Sequence, residues 1–458
     1  MLYGILKLLM QGTTRIFFRS ITIRNSEIIP DKGPVIILAN HPSTFMDPIV
    51  VASLISRKVY FLGKGELFRG AVAKWLLPKL NIIPVYRKQD DPTQMNKNAD
   101  TFKKCYEHLE KGGAILIFPE GVSITERKLK PVKTGAARIA LGAEAQNDFK
   151  LGVKIINIGL NYDNPHKFNR DLFVNIHEPI EATAYASAFR QDEFKAAEAL
   201  TEEIRNQLED VIISIQDEKT EDLVKDIETL YKHDLKKARG LSGTDSAAEF
   251  AITQNIVKAV EHYSETEPAF TEAMRARIKA YFSRLKEFNI EDEDLGRNRN
   301  HQSFIGNNIG SLLFLILGFP LYLYGLVNNY LPFEIPGLLA GKIAKSSDFR
   351  GAIGMVLGMF TFIIFDTFQI WLVHHLFHIT WLTIAYAVSL PLSGFFTYYY
   401  WHSFDKIRAK WLLISLFFRR STAISSLIAE RENIIAEFGK KREDFLNKFP
   451  QAVQSSKV

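Results

Sequence analysis

The sequence predicts an α/β domain, a mixed sheet flanked by helices, followed by a helical subdomain and a C-terminal transmembrane helical region. Three observations carry this reading. Between residues 34 and 179 short β-rich runs alternate with helix-length stretches, the pattern of a layered α/β structure. Residues 186–302 become rich in Glu, Lys and Ala, with apolar side chains at helical spacing. Residues 303–402 are nearly uncharged and hold blocks long enough to cross a bilayer.

The chain begins "MLYGILKLLMQGTTRIFFRSITIRN", an apolar stretch interrupted by Lys7 and followed by Arg15, Arg19 and Arg24. Residues 1–30 therefore read as an amphipathic membrane-interface segment, although a first helix packed on its own domain has the same pattern. In the catalytic domain expected at 31–185, the candidate strands are "PVIILA" (34–39), "VYFLGK" (59–64), "IIPVYR" (82–87), "GAILIFPE" (113–120), "KIINIGLNY" (154–162) and "DLFVNIHEPI" (171–180). Helices fit the gaps at 48–56, 67–77, 95–111 and 135–145.

In the subdomain, Ile204, Leu208, Val211, Ile212 and Ile215 share a helical face, and "ARGLSGTDSA" (238–247) breaks the pattern. A bundle of four helices with a structural or lid role follows. Beyond it, blocks 305–327, 351–373 and 376–399 each reach span length, with aromatic residues such as "TYYYW" at their ends. Lys342, Lys345 and Arg350 lie between the first two blocks, and Lys406, Arg408, Lys410, Arg419 and Arg420 follow the third. Cations on both sides of the first block predict that it turns back, with "PFEIPGLLAGKIA" (332–344) as a re-entrant return and the catalytic domain on the cytoplasmic side. Residues 403–458 read as a basic helical tail at the lipid surface.

Composition narrows the class. Of 458 residues 47% are hydrophobic, which excludes a disordered chain, and the net charge of +6 suits anionic lipid or a phosphorylated substrate better than nucleic acid. The single cysteine, Cys105, forms no intrachain disulfide, and no zinc-type Cys/His spacing occurs. His374 and His378 stand one helical turn apart, a spacing that can bind metal, but without an acidic neighbour they read as a membrane-interface turn. Asp366, with Thr367 and Gln369 inside an apolar block, reads as a polar contact between helices.

The chemistry is expected at strand exits. "PVIILANHPSTFMDPIV" runs from a buried strand into His41, with Asp47 beyond it; an imidazole with an orienting carboxylate makes a general-base pair. A solitary histidine is ordinarily structural, but α/β proteins place ligands at strand exits. Arg87 ends "NIIPVYR" and Lys64 ends another strand in "FLGKGELFR"; a guanidinium can grip a phosphate through two hydrogen bonds. "FPEGVSITERKLKPVKTGAARIA" supplies Glu120, then Gly121 for a close backbone approach, then Lys133 before an Ala-rich helix.

"NHPSTFMD", "NIIPVYR" and "FPEGVS", in this order and spacing, resemble the signature blocks of the glycerolipid acyltransferases, the glycerol-3-phosphate and 1-acylglycerol-3-phosphate acyltransferases, in the subset with C-terminal membrane segments. The likeness covers about residues 33–180 and implies an acyltransferase-type mixed sheet. It further implies transfer of a fatty acyl group from acyl-CoA or acyl carrier protein to a hydroxyl of a glycerol phosphate, in phospholipid biosynthesis at a membrane, without cofactor or metal. On this resemblance His41 is the base and Asp47 its orienting partner, while Arg87, Glu120 and Gly121 match the acceptor-binding blocks, with Lys64 and Lys133 as further phosphate ligands.

The sequence departs from the common pattern in three places. Five residues separate His41 from Asp47 where four are usual, as in a subset resembling fungal-type glycerol-3-phosphate and dihydroxyacetone-phosphate acyltransferases. One extra residue rotates a helical neighbour by about 100°, so the pair must meet through a turn. Asn81 replaces a usual glycine, and Asn157 a frequent proline. The longer spacing and the membrane segments favour glycerol-3-phosphate as acceptor over 1-acylglycerol-3-phosphate. Two other classes fit less well: a His/Asp thioesterase, and an inactive membrane scaffold. No Gly-x-Ser-x-Gly elbow occurs, which counts against a serine esterase.

Overall fold

A computed structural model describes residues 2–87, 92–238, 245–297, 301–344 and 349–449. Contacts divide the chain into two units, Met1–Ile215 with Leu339–Leu357, and Gln216–Leu338 with Gly358–Val458. The first unit contains α1 (Leu2–Phe17), β1 (Phe18–Arg24), β2 (Val35–Ala39), α2 (Met46–Leu54), β3 (Val59–Lys64), α3 (Ala71–Leu76) and β4 (Ile82–Val85). It continues with α4 (Asn98–Glu110), β5 (Ala114–Ile117), α5 (Gly135–Gln146), β6 (Lys154–Tyr162), β7 (Arg170–Ile176), β8 (Ile180–Glu181), α6 (Ala186–Gln191) and α7 (Glu193–Val211).

The strands form one mixed sheet in the order β1-β7-β6-β2-β5-β3-β4, with β8 beside β6. Only the β6 pairings with β7 and β8 are antiparallel. The central strands are apolar on both faces because both are covered. Ile36, Leu38, Ile115 and Ile155 face one cluster with Cys105, Leu109 and the Ala-rich side of α5. Val35, Ile37, Ala39, Leu116 and Ile156 face the other with Met46, Val50 and Val51 of α2. Since β2, β3, β4 and β5 run parallel, their C-terminal ends share one edge of the sheet.

Two expectations for this unit change. Residues 18–24, placed in the interfacial segment, are strand β1, paired parallel with β7. Lys7 of α1 donates to the carbonyls of Ile55, Ser56 and Arg57 at 2.6, 3.1 and 2.9 Å, which tethers α1 beyond the end of α2 while Ile5, Leu8 and Ile16 stay exposed. Helix α7, assigned to the helical subdomain, buries Ala196, Leu200, Ile204 and Leu208 in the sheet's own core.

The second unit contains α8 (Glu218–Ala238), α9 (Ser246–Thr266), α10 (Pro268–Glu287) and α11 (Asp292–Arg297), and most of α12 (His301–Ile343) and α13 (Arg350–Phe377), then α14 (Thr380–Arg419) and α15 (Ser421–Lys448). Most of the expected break at 238–247 lies outside the described residues. Within the expected basic tail, α15 packs one face into this unit. Helix α15 buries Ile424, Leu427, Ile434, Phe438 and Phe445, and its buried Arg431 donates to Asp292 of α11 at 2.9 and 3.1 Å and to Asp234 of α8 at 3.2 Å. The reason is its apolar stripe, which its charge content conceals.

Nor does the first apolar block turn back. Helix α12 runs unbroken through Pro320, Pro332 and Pro336. A proline removes the amide that would bond the carbonyl four residues earlier. Gln369 Nε2 donates to the Asn328 carbonyl at 3.2 Å and Thr361 Oγ1 to that of Pro332 at 2.9 Å, so α13 supplies the donors that Pro332 and Pro336 lack. Tyr386 joins this contact through Asn328 and Gln369, at 2.7 and 3.0 Å. Among the described residues two helices are long and apolar enough to cross a membrane, Leu312–Ile343 and Arg350–Phe377. The third expected block falls in α14, which Ser389, Ser393, Thr397 and its tyrosines make more polar.

Candidate active site

The site begins where β2 ends. Asn40 extends the ladder with its side chain, accepting from the Leu160 amide at 2.7 Å and donating to the Leu160 carbonyl at 3.1 Å. The chain then turns and enters α2 at Met46. This turn absorbs the extra residue between His41 and Asp47: Thr44 takes φ 23°, and Asp47, in the first turn of α2, reaches back to the imidazole. His41 Nδ1 lies 2.8 Å from Asp47 Oδ2. With Nδ1–H donating to the carboxylate, the tautomer in which the lone pair sits on Nε2 is the one this contact selects.

Asp47 is fully buried and held on every side. Its Oδ2 also accepts from the Ser43 amide at 2.8 Å, and its Oδ1 accepts from the Tyr162 hydroxyl at 2.8 Å. The start of a helix further favours its negative charge. Burial, then the adjacent Asp47 charge, push the Tyr162 phenol well above its ordinary range, so it remains a donor. The His41 ring stacks on Phe118, centroids 4.0 Å apart, and its side chain keeps 16% exposure against none for Asp47. One ring edge is clamped.

The segment after β5 is laced to this turn. Glu120 Oε1 accepts from the His41 amide at 2.8 Å and its Oε2 from the Lys130 amide at 2.9 Å. Ile124 N–H reaches the His41 carbonyl at 3.3 Å, Ser123 Oγ accepts from the Thr44 amide at 2.7 Å, and Thr125 Oγ1 donates to the Pro42 carbonyl at 2.8 Å. Glu120, expected among the substrate ligands, is buried and braces the turn between His41 and Asp47. Burial raises its carboxyl above the ordinary range, and the amides of Lys130 and His41 pull it partly back.

The expected cations meet Gly121. Arg87 Nη1 donates to the Gly121 carbonyl, and Lys133 Nζ lies 2.8 Å from where a Cβ on Gly121 would sit, at a backbone φ of +66°. A side chain there would be strained and would displace the ammonium. Lys64 is exposed at the end of β3, in register with Val85, on the same sheet edge but outside this contact set. Asn81 adopts the left-handed backbone, φ 61°, that its glycine-like position requires. Asn157 turns its amide to Gln207 of α7 at 2.8 Å. Elsewhere, His374 Nδ1 meets Thr383 Oγ1 at 3.2 Å, and among the described residues no group of three His, Cys, Asp or Glu side chains could hold a metal ion.

Tyr162, Ser123 and Thr125 are missed by sequence reasoning. The available signal for Tyr162 was a hydroxyl-bearing ring at the end of an otherwise apolar strand; the other two are short polar side chains in a loop, which carry none.

The model of the family described as Acyltransferase matches residues 20–160. The chain is similar to "Glycerol-3-phosphate O-acyltransferase 1" of Saccharomyces cerevisiae, 23% identical over 75% of this chain and 55% of that protein. It is also similar to "1-acyl-sn-glycerol-3-phosphate acyltransferase BAT2, chloroplastic" of Brassica napus, 30% identical over 31% of this chain and 38% of that one. It thus spans about half the length of the yeast relative, and less of the plant one. Among solved structures, the 1-acyl-sn-glycerophosphate (LPA) acyltransferase PlsC of Thermotoga maritima aligns at 20% identity and a TM-score of 0.32, over 44% of this chain and 78% of that one.

Proposed function

Because the chain belongs, through residues 20–160, to the acyltransferases of glycerolipid synthesis, we propose that it moves a fatty acyl group from a thioester donor, acyl-CoA or acyl carrier protein, to a hydroxyl of glycerol-3-phosphate. The observation that carries this reading is the His41 Nδ1 to Asp47 bond of 2.8 Å, with a buried carboxylate that cannot swing away.

An alcohol is too weak an acid to attack unaided at neutral pH. His41 Nε2 takes its proton as the oxygen adds to the thioester carbonyl. The tetrahedral intermediate then collapses to the ester, and the departing thiolate recovers the proton from the imidazolium. Base assistance of this kind contributes about 10²–10⁴-fold. Asp47 fixes the tautomer and stabilises the transient cation. Arg87 and Lys133, gathered at Gly121, suit the acceptor's phosphate, which a bidentate guanidinium and a neighbouring ammonium both favour.

The chain acts at a membrane on this reading, which its two helices of span length support, and the catalytic unit is proposed to lie on the cytoplasmic side. A second acceptor, 1-acylglycerol-3-phosphate, is favoured by the stretch shared with the plant relative. A panel of glycerol-3-phosphate, dihydroxyacetone phosphate and 1-acylglycerol-3-phosphate with labelled acyl-CoA separates these. Highest kcat/KM with glycerol-3-phosphate is expected; preference for the lysophospholipid overturns the acceptor assignment. His41→Ala should reduce transfer on the order of 10²–10⁴-fold, and full activity in that variant would remove the base.

A further inference from the structure

We propose that the first turns of α13, one of the two helices long enough to cross a membrane, seat the catalytic turn, with Gly351 and Phe349 as positioning residues for His41 and Asp47. Although α13 is of membrane length, its beginning is part of the catalytic unit, as Leu339–Leu357 groups with Met1–Ile215. Ala352 and Met355 are 1% and 3% exposed and lie in the same core cluster as Ala39 of β2 and Met46 and Val50 of α2, the two elements that carry His41 and Asp47.

Two contacts link this root to the chemistry. Phe349, just before α13, sets its ring edge against Phe45, centroids 5.5 Å apart at 68°, and Phe45 lies inside the turn between His41 and Asp47. Gly351 meets the β6–β7 connection so closely that a Cβ would fall 2.5 Å from the Pro165 carbonyl oxygen and 2.7 Å from His166 Cα. These are backbone atoms, so a larger residue cannot be accommodated by turning a side chain. From His166 the path continues through Nε2 to Thr125 Oγ1 at 3.2 Å, and from that hydroxyl to the Pro42 carbonyl, next to His41. Gly354, one turn along the same helix, has only ordinary contact, an added Cβ meeting Ala340 Cβ at 3.9 Å.

The root therefore presses on the catalytic turn from two directions, through a ring and through a polar relay. The consequence for catalysis rests on the acyl-transfer reading; the joint itself does not.

The test pairs a catalytic readout with a geometric one, in the full-length protein in membranes. Gly351→Ala should lower kcat at least tenfold with acceptor KM within about twofold, while Gly354→Ala, the same chemical change, keeps wild-type kcat. In a Cys105→Ala background, Phe45→Cys with Phe349→Cys should be bridged within one chain by a short bifunctional thiol reagent, and bridging should leave the activity of that variant unchanged. Gly351→Ala as active as Gly354→Ala, no bridging, or inactivation on bridging each overturns the proposal. If Gly351→Ala fails to accumulate, the cross-link decides. A Phe45→Cys/Phe349→Cys chain that cross-links, with a wild type that transfers no acyl group to any acceptor, leaves the joint standing and removes the function.

Discussion

Replacing Tyr162 with phenylalanine removes one oxygen and leaves the ring. In the structure that hydroxyl is the partner of Asp47 Oδ1, at 2.8 Å, in a site where Asp47 has no exposure. A buried acceptor that loses its donor costs about 1–3 kcal/mol, more where it is charged. The Ser43 amide and His41 Nδ1 still hold Oδ2, so the carboxylate keeps its place but gains freedom to rotate. At 1.36 kcal/mol per tenfold, this corresponds to a loss of roughly 5- to 150-fold in kcat, with KM for both substrates changed by less than about twofold. Steady-state transfer of labelled acyl groups measures it. A double-mutant cycle with Asp47→Asn gives the sharper result: if Tyr162 acts through the carboxylate, adding Tyr162→Phe to Asp47→Asn costs little more. Wild-type kcat in Tyr162→Phe, or two losses that simply multiply, would refute the coupling.

Other consequences concern single groups. Arg87→Lys keeps the charge but loses the planar fork, so KM for the phosphorylated acceptor should rise about tenfold with donor KM unchanged, as initial rates at varied acceptor will show. Glu120→Gln turns an NH₂ toward the amide of His41 or Lys130, two donors facing each other, and should cost both stability and kcat. Because burial raises the Glu120 carboxyl, its contribution to stability is full below the ordinary carboxylate range and falls as pH rises through its folded value. The difference in melting temperature between wild type and Glu120→Gln should therefore narrow as pH rises across that interval, and widening there would contradict the burial. Cys105, buried between α4 and the sheet, has its thiol pushed up to about 12 and should resist thiol reagents at pH 8 until the chain unfolds. Rapid labelling of native protein would show that the core opens.

The strand-exit residues were legible because their placement is a local matter. A short apolar run such as Val35–Ala39 declares a buried strand, and parallel strands deliver their ends to one edge, so His41, Lys64, Arg87 and Glu120 could be expected together before any coordinates. Spacing alone also required a turn between His41 and Asp47, which Thr44 supplies. The membrane-length helices followed from length and apolarity, properties that a run of side chains carries wherever it is placed.

What escaped local reading depended on partners distant along the chain. Strand β1 exists because β7, some 150 residues later, offers it a parallel edge, and nothing in "FRSITIR" distinguishes that from an interfacial stretch. Helix α12 stays unbroken across Pro332 and Pro336, where Gln369 and Thr361 of another helix replace two missing donors. Glu120 carried no sign that its oxygens accept from the amides of His41 and Lys130, and Tyr162 none that it faces Asp47. Residue type and short-range periodicity decide which atoms are able to donate, accept or carry a proton. Which of them are left free to do so is decided only when the folded chain has paired the others, since each buried polar group must find its partner wherever the packing brings one within reach.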